Sequence, residues 1–97
     1  MDKVLVELEN KKVYLGKAPA TVAYDVALKY RGAMEKSDYS VLQECLYELL
    51  KYAELDLGDG RMVKLDNKEI INQHFHDVNT LIALQKKVVE VNFGFLE

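Results

Sequence analysis

The chain has 97 residues, 49% of them hydrophobic, with one proline and five glycines, which suits one compact core, is too short for two, and excludes a disordered chain. Its net charge of −3 is unevenly spread: residues 1–36 carry seven basic and five acidic side chains, 37–60 one and six, and 61–97 five and five, so no clustered basic face exists to track phosphates and nucleic-acid binding is excluded. No apolar run approaches the roughly 20 residues that span a bilayer, and a single cysteine excludes an intrachain disulfide or a multi-cysteine zinc site.

Asp2 and Lys3 lead into alternation rather than an apolar block, which predicts no signal peptide and a cytoplasmic location. Lys3 to Leu8 and Lys12 to Leu15 are β-rich runs separated by Glu9, Asn10 and Lys11, and they predict a short hairpin within residues 1–16. In its register Val4, Val6 and Leu8 share one face and Glu7 points outward. Such a hairpin is marginal alone and must lean on a helical layer. Pro19 suits a first helical turn, and Ala23, Val26, Ala27, Tyr30 and Met34 recur at helical spacing, predicting a helix from Thr21 to Met34, or one that stops at Arg31 with Gly32 as its cap.

Ser40 to Leu57 carries the clearest periodicity in the chain. Leu42, Cys45, Leu46, Leu49, Leu50 and Ala53 form a wide apolar stripe, while Gln43, Glu44, Glu48, Lys51 and Glu54 remain outside it. Ser37, Asp38 and Ser40 form a polar cluster that can cap this second helix, and Ser40 with Gln43 has capping-box spacing, which sets its predicted start. Gly58-Asp59-Gly60 reverses the chain, and Arg61 to Leu65 is either a short strand or a loop. Asp66 and Glu69 again have capping-box spacing before a long helical tract. One stripe of that tract runs through Ile71, Phe75, Val78, Ile82 and Val89, widened by Ile70, Leu81, Leu84, Val88 and Val91. Asp77 and Asn79 allow a break, with the last helix running from about Asn79 to Asn92. The predicted fold is therefore α+β and mainly α: a short N-terminal β-hairpin packed on a bundle of three to four helices, with residues 1–97 as one domain and 20–97 as its helical part.

Catalytic chemistry finds no foothold in these residues. His74 and His76 on a helix would stand about 200 degrees apart and could not hold one ion together. Cys45 sits within an apolar stripe, where burial raises a thiol's pKa and leaves it inert. Around Gly60, Leu55 and Leu57 occupy the places of a calcium loop's first and third acidic ligands. No phosphate cradle and no grouped serine, histidine and acid are present. The expectation is a protein that is not an enzyme and uses neither metal nor cofactor. Among six tyrosines, Tyr47 and Tyr52 lie off the main stripe of the second helix and are candidates to face a partner.

The chain closes on Val88-Val89-Glu90-Val91-Asn92-Phe93-Gly94-Phe95-Leu96. This stretch resembles the ending of tail assembly chaperones of long-tailed phages, in which apolar residues precede Glu-Val-Asn and aromatic or apolar residues follow. Gly94 and Leu96 stand where that ending more often has an acid and a second aromatic. The resemblance implies a non-enzymatic role in host cytoplasm: binding the tape-measure protein and recruiting tail-tube subunits, often beside a longer frameshifted product that shares the domain. A chaperone for a long helical client needs apolar surface, masked by self-association until the client arrives. Val88, Val91, Phe93, Phe95 and Leu96 either form such a docking or self-association patch or fold back to cover the hairpin. The alternative function is a small acidic phage or bacterial inhibitor or adaptor that binds a host protein, with segment 37–60 as its acidic face.

Overall fold

Glu9 and Asn10 both adopt the left-handed backbone conformation, with φ of 50° and 63°, in a computed structural model that describes residues 3–93. Two successive positive φ values make a turn whose twist matches that of the flanking strands. It folds Val4–Leu8 (β1) antiparallel onto Lys11–Leu15 (β2), with Leu8 opposite Lys11 and Val4 opposite Leu15. The predicted hairpin is therefore present, but it is half of a larger sheet.

The second helix is shorter than its periodicity suggests. It runs over Tyr39–Leu50 (α2), and after a turn at Lys51 and Tyr52 the chain enters a strand, Ala53–Asp56 (β3), rather than continuing as helix to Leu57. Ala53 and Leu55 alternate with Glu54 and Asp56, a period-two pattern that four residues cannot distinguish from the end of a helical stripe. Pairing with β2 decides it. Leu55 lies opposite Val13 and Ala53 opposite Leu15, and all four side chains are at most 1% exposed. Met62–Lys64 (β4) completes an antiparallel sheet in the order β1-β2-β3-β4, so Arg61 to Leu65 contains a strand.

The two faces of the sheet differ by the parity of their residues. Val6, Val13, Leu55 and Val63 are in register on the face that joins the core. Leu5, Tyr14, Glu54 and Lys64 are in register on the other. Helices cover the first face: Ala20–Glu35 (α1), α2, Lys68–His74 (α3) and Val78–Phe93 (α4). One hydrophobic cluster draws residues from all eight elements. Among the described residues helix takes 56% and strand 19%, so the fold is α+β and mainly α.

Capping differs in detail from the sequence pattern. Asp38, not Ser40, caps α2 by accepting a hydrogen bond from the Val41 amide at 3.3 Å. Asn67, not Asp66, caps α3 by accepting from Ile70 N–H at 2.9 Å. Gly32 lies inside α1 rather than ending it, and the outermost turn leaves Met34 exposed while Ala33 is buried.

The long tract breaks where Asp77 and Asn79 suggested. Phe75 is extended (φ −127°, ψ 124°), and Asp77 Oδ1 accepts from the Asn79 amide at 2.8 Å to open α4. That break resets the helical phase. Ile71 and Phe75 stay in the core, whereas Val78 and Ile82, expected on the same stripe, are exposed, and Leu84 and Val88 point inward instead.

Two glycines report opposite constraints. A Cβ on Gly16 would lie 2.8 Å from the Tyr52 carbonyl oxygen, whereas one on Gly32 would meet no atom within 4 Å. Gly16→Ala is expected to destabilise the fold by about 1–3 kcal/mol through overpacking. Gly32→Ala should stabilise it by about 0.5–1 kcal/mol, because alanine loses less backbone freedom in a helix. Urea denaturation of the two variants beside the parent measures both signs.

Candidate interaction surface

Helix α2 has two working faces. Cys45, Leu46, Leu49 and Leu50 are buried. Ser40, Gln43, Glu44, Tyr47, Glu48 and Lys51, spaced by three and four, form the floor of an open groove of about 1030 Å³. Val22, Asp25 and Lys29 of α1 line it on one side, and Asp66, Lys68 and Ile71 on the other. The Lys68 ammonium sits 5.0 Å from the centroid of the Tyr47 ring, a cation–π contact across the groove. Four carboxylates and three ammonium groups share this lining, so it presents no field of one sign.

Tyr47 faces this groove from a half-buried position, packed against the core. Tyr52 is also half-buried and packed on the core. Its carbonyl accepts the Gly16 amide at 3.0 Å, which ties the end of α2 to the end of the hairpin. Both tyrosines contribute packing, and Tyr47 in addition offers ring surface to the groove.

The C-terminal residues divide. Val88 and Phe93 are 2% and 1% exposed, enclosed by the chain itself, and so are core side chains rather than an open patch. The Phe93 ring lies 5.8 Å from that of Tyr30 on α1, tilted by 48°. Val91 is half-buried against the core. Phe95 and Leu96 lie outside the described residues.

Asn92 gives this end a polar lock that periodicity could not reveal. Its Oδ1 accepts the Ala18 amide at 2.9 Å across 74 positions of sequence, and its Nδ2 donates to the Val88 carbonyl at 3.0 Å. One amide side chain thus fastens α4 to the link between sheet and α1, satisfying both of its polar ends. Glu90 faces solvent, 3.4 Å from the Lys87 ammonium. Gln85, also unremarked in the sequence pattern, is buried and donates to Gln43 Oε1 at 3.2 Å, joining α4 to α2.

The titratable candidates have ordinary surroundings. Cys45 is buried, and loss of solvation pushes its thiol above the usual range, partly offset by the nearby Lys29 charge. In the turn after β3 the Arg61 guanidinium contacts Asp59 Oδ2 at 2.7 and 2.8 Å and the Arg61 backbone amide donates to Oδ1 at 3.1 Å, which together hold that carboxyl below its usual range. His74 ends α3 and His76 lies in the connection that follows, so the two do not share a helix. No group of three or more His, Cys, Asp or Glu side chains suited to a metal ion occurs among the described residues. No helix among them is long and apolar enough to cross a membrane.

Comparison with known proteins gives no match: no family model, curated protein or solved structure is similar to this chain.

Asn92→Ala should cost about 1–3 kcal/mol by leaving the Ala18 amide without its partner. Phe93→Ala should cost about 3–5 kcal/mol as a core aromatic truncation. Both are read from chemical denaturation. A raised thiol pKa in the folded state stabilises the fold below the unfolded thiol's pKa, about 8.5, and that contribution is lost as pH rises through the folded value. Cys45→Ala should therefore flatten the alkaline fall in stability, and Cys45 should react with a thiol reagent at pH 8 only after denaturant is added.

Proposed function

We propose that this chain is a non-enzymatic tail assembly chaperone of a long-tailed phage, binding the tape-measure protein and recruiting tail-tube subunits in the host cytoplasm. The observation that carries this reading is the ending Val88 to Leu96, with its Glu90-Val91-Asn92 followed by Phe93, Phe95 and Leu96. The fold is compatible with such a role. It offers a helical client two open apolar features: the Tyr47 side of the groove, and Tyr24 and Leu28, which stand one turn apart on α1 and are 61% and 55% exposed. An amphipathic client helix placing residues at i and i+4 matches that spacing.

The burial of Val88 and Phe93 divides the labour within the ending. These two hold α4 in the core, and client contact falls to Phe95 and Leu96, with Val91 at the margin. The acidic-inhibitor reading draws less support. Within 37–60, Glu48 lies beside Lys51, Glu54 beside Lys3 and Asp59 beside Arg61, so part of the acidic field that mimicry needs is neutralised locally.

Co-expression with a tape-measure protein, followed by light scattering of the purified complex, tests the proposal. The client is expected to stay soluble in a defined complex. Deleting residues 94–97, which spares Phe93, should weaken capture while the melting temperature holds, and Tyr24→Ala with Leu28→Ala should do the same. A client that remains insoluble beside a folded, unbound small protein means that the chaperone reading should be abandoned.

A further inference from the structure

Asp59 is followed by Gly60, and at no other aspartate or asparagine of the chain does glycine follow. That succession has a chemical consequence. A backbone amide nitrogen can attack the side-chain carboxyl carbon of the residue before it and close a succinimide ring, and the approach is least hindered when the attacking residue has no Cβ. Here the pair stands in the turn from β3 to β4, where Gly58, Asp59, Gly60 and Arg61 are all exposed. A Cβ built on Gly60 would meet no atom within 4 Å, so the rest of the fold leaves the approach open. The Gly60 amide donates no hydrogen bond among the described residues, whereas the amides of Gly58 and Arg61 donate to the Asp56 and Asp59 carboxylates at 2.8 and 3.1 Å. A nucleophile without a partner thus lies beside an accessible carboxyl group.

We propose that Asp59 with Gly60 is this chain's site of spontaneous aspartate isomerisation, and that Arg61 restrains the reaction in the folded protein. Water is the only co-reactant. The Gly60 nitrogen forms a bond to Asp59 Cγ and gives up its proton, and the side-chain hydroxyl leaves as water. A second water then opens the ring. Addition at the side-chain carbonyl carbon restores aspartate, whereas addition at the main-chain carbonyl carbon leaves Gly60 joined through Cγ, which is isoaspartate of unchanged mass. The site does not depend on the chaperone reading, since none of its residues belongs to the ending or to the groove.

Arg61 opposes the first step in two ways. Only the neutral acid has a hydroxyl to lose as water, and the guanidinium 2.7 and 2.8 Å from Oδ2 favours the ionised form. The guanidinium on Oδ2 and the Arg61 N–H on Oδ1 also hold both carboxylate oxygens, so Cγ does not turn freely toward the Gly60 nitrogen. Asp56 is the internal control. Its carboxylate makes the matching bond to the Gly58 amide, but its successor is Leu57, whose side chain crowds the attack. The consequence of reaction is local. An extra main-chain carbon enters the turn that the Leu57 amide closes onto the Arg61 carbonyl at 3.0 Å, directly beyond the pairing of Asp56 with Met62. Strand β4, an edge of three residues, is the element that loses pairing.

Prolonged incubation of the full chain at physiological pH and temperature, folded and in urea, tests the proposal, with isoaspartate located by peptide mapping with electron-transfer fragmentation and counted by isoaspartyl methyltransferase labelling. Isoaspartate is expected at Asp59 and not at Asp56, and it should accumulate several-fold more slowly in the folded parent than in urea. Arg61→Gln should remove most of that protection while leaving the rate in urea unchanged. Arg61→Lys, which keeps the charge, should restore part of it, a rescue that mere loosening of the turn does not predict. Gly60→Ala should slow the reaction in urea, where turn geometry no longer matters. Isoaspartate that appears first at another residue, a folded Arg61→Gln no faster than the parent, or an Arg61→Lys as fast as Arg61→Gln overturns the proposal.

Discussion

The pairing of β2 with β3 is the junction on which the rest of the structure depends. Val13 and Leu15 on one strand and Leu55 and Ala53 on the other form a square of side chains with at most 1% exposure. Without β3, the hairpin would be a two-stranded ribbon, too small to hold itself together in water. Without the hairpin, β3 and β4 would present an unpaired edge at the centre of the protein. The junction also explains why Gly16 is needed. The chain leaves β2 so close to Tyr52 that their backbones hydrogen-bond at 3.0 Å, leaving no room for a Cβ on that side.

From that junction the helices acquire their places. α2 feeds directly into β3, so its buried face is held against the sheet by covalent connection as well as by Leu49 and Leu50. α4 must be brought in from the far end of the sequence. Phe93 against Tyr30 supplies apolar contact, the Gln43 to Gln85 hydrogen bond joins α4 to α2, and Asn92 fixes the end of α4 at Ala18. The entropy of closing so long a loop rises only slowly with its length, so a few well-satisfied contacts suffice to dock it.

Much of this was legible in the sequence where local chemistry is unambiguous. The two-residue turn, the amphipathic stripes of α1 and α2, the break near Asp77 and the burial of Cys45 all follow from short-range patterns. What failed were decisions that tertiary context takes. Leu50 to Leu57 satisfied helical spacing and period-two alternation at once, and only the open edge of β2 selected strand. A stripe continued through Phe75 predicts Val78 and Ile82 inside, but a helix that restarts has a new phase. Asp66 has the right spacing for a cap, yet its neighbour Asn67 takes the role, and of the polar cluster before α2 it is Asp38 rather than Ser40 that does so. The role of Asn92 is invisible in the sequence, because a hydrogen bond between residues 18 and 92 leaves no periodic trace.

The position of that ending changes what a shared sequence pattern means. Val88, Asn92 and Phe93 meet demands of folding: an apolar side chain in the core, an amide with both ends satisfied, and a ring against Tyr30. A pattern of this kind is retained by any chain that docks its last helix in the same way, whatever the chain binds. Specificity for a partner must then come from groups that folding does not consume. On this molecule those are the groove-facing side of Tyr47 beside Lys68, the exposed pair Tyr24 and Leu28, and the backbone edge of β1. Each lies on an element whose opposite face is anchored in the core, so a partner would meet a preorganised surface and the binding energy would not be spent on ordering it.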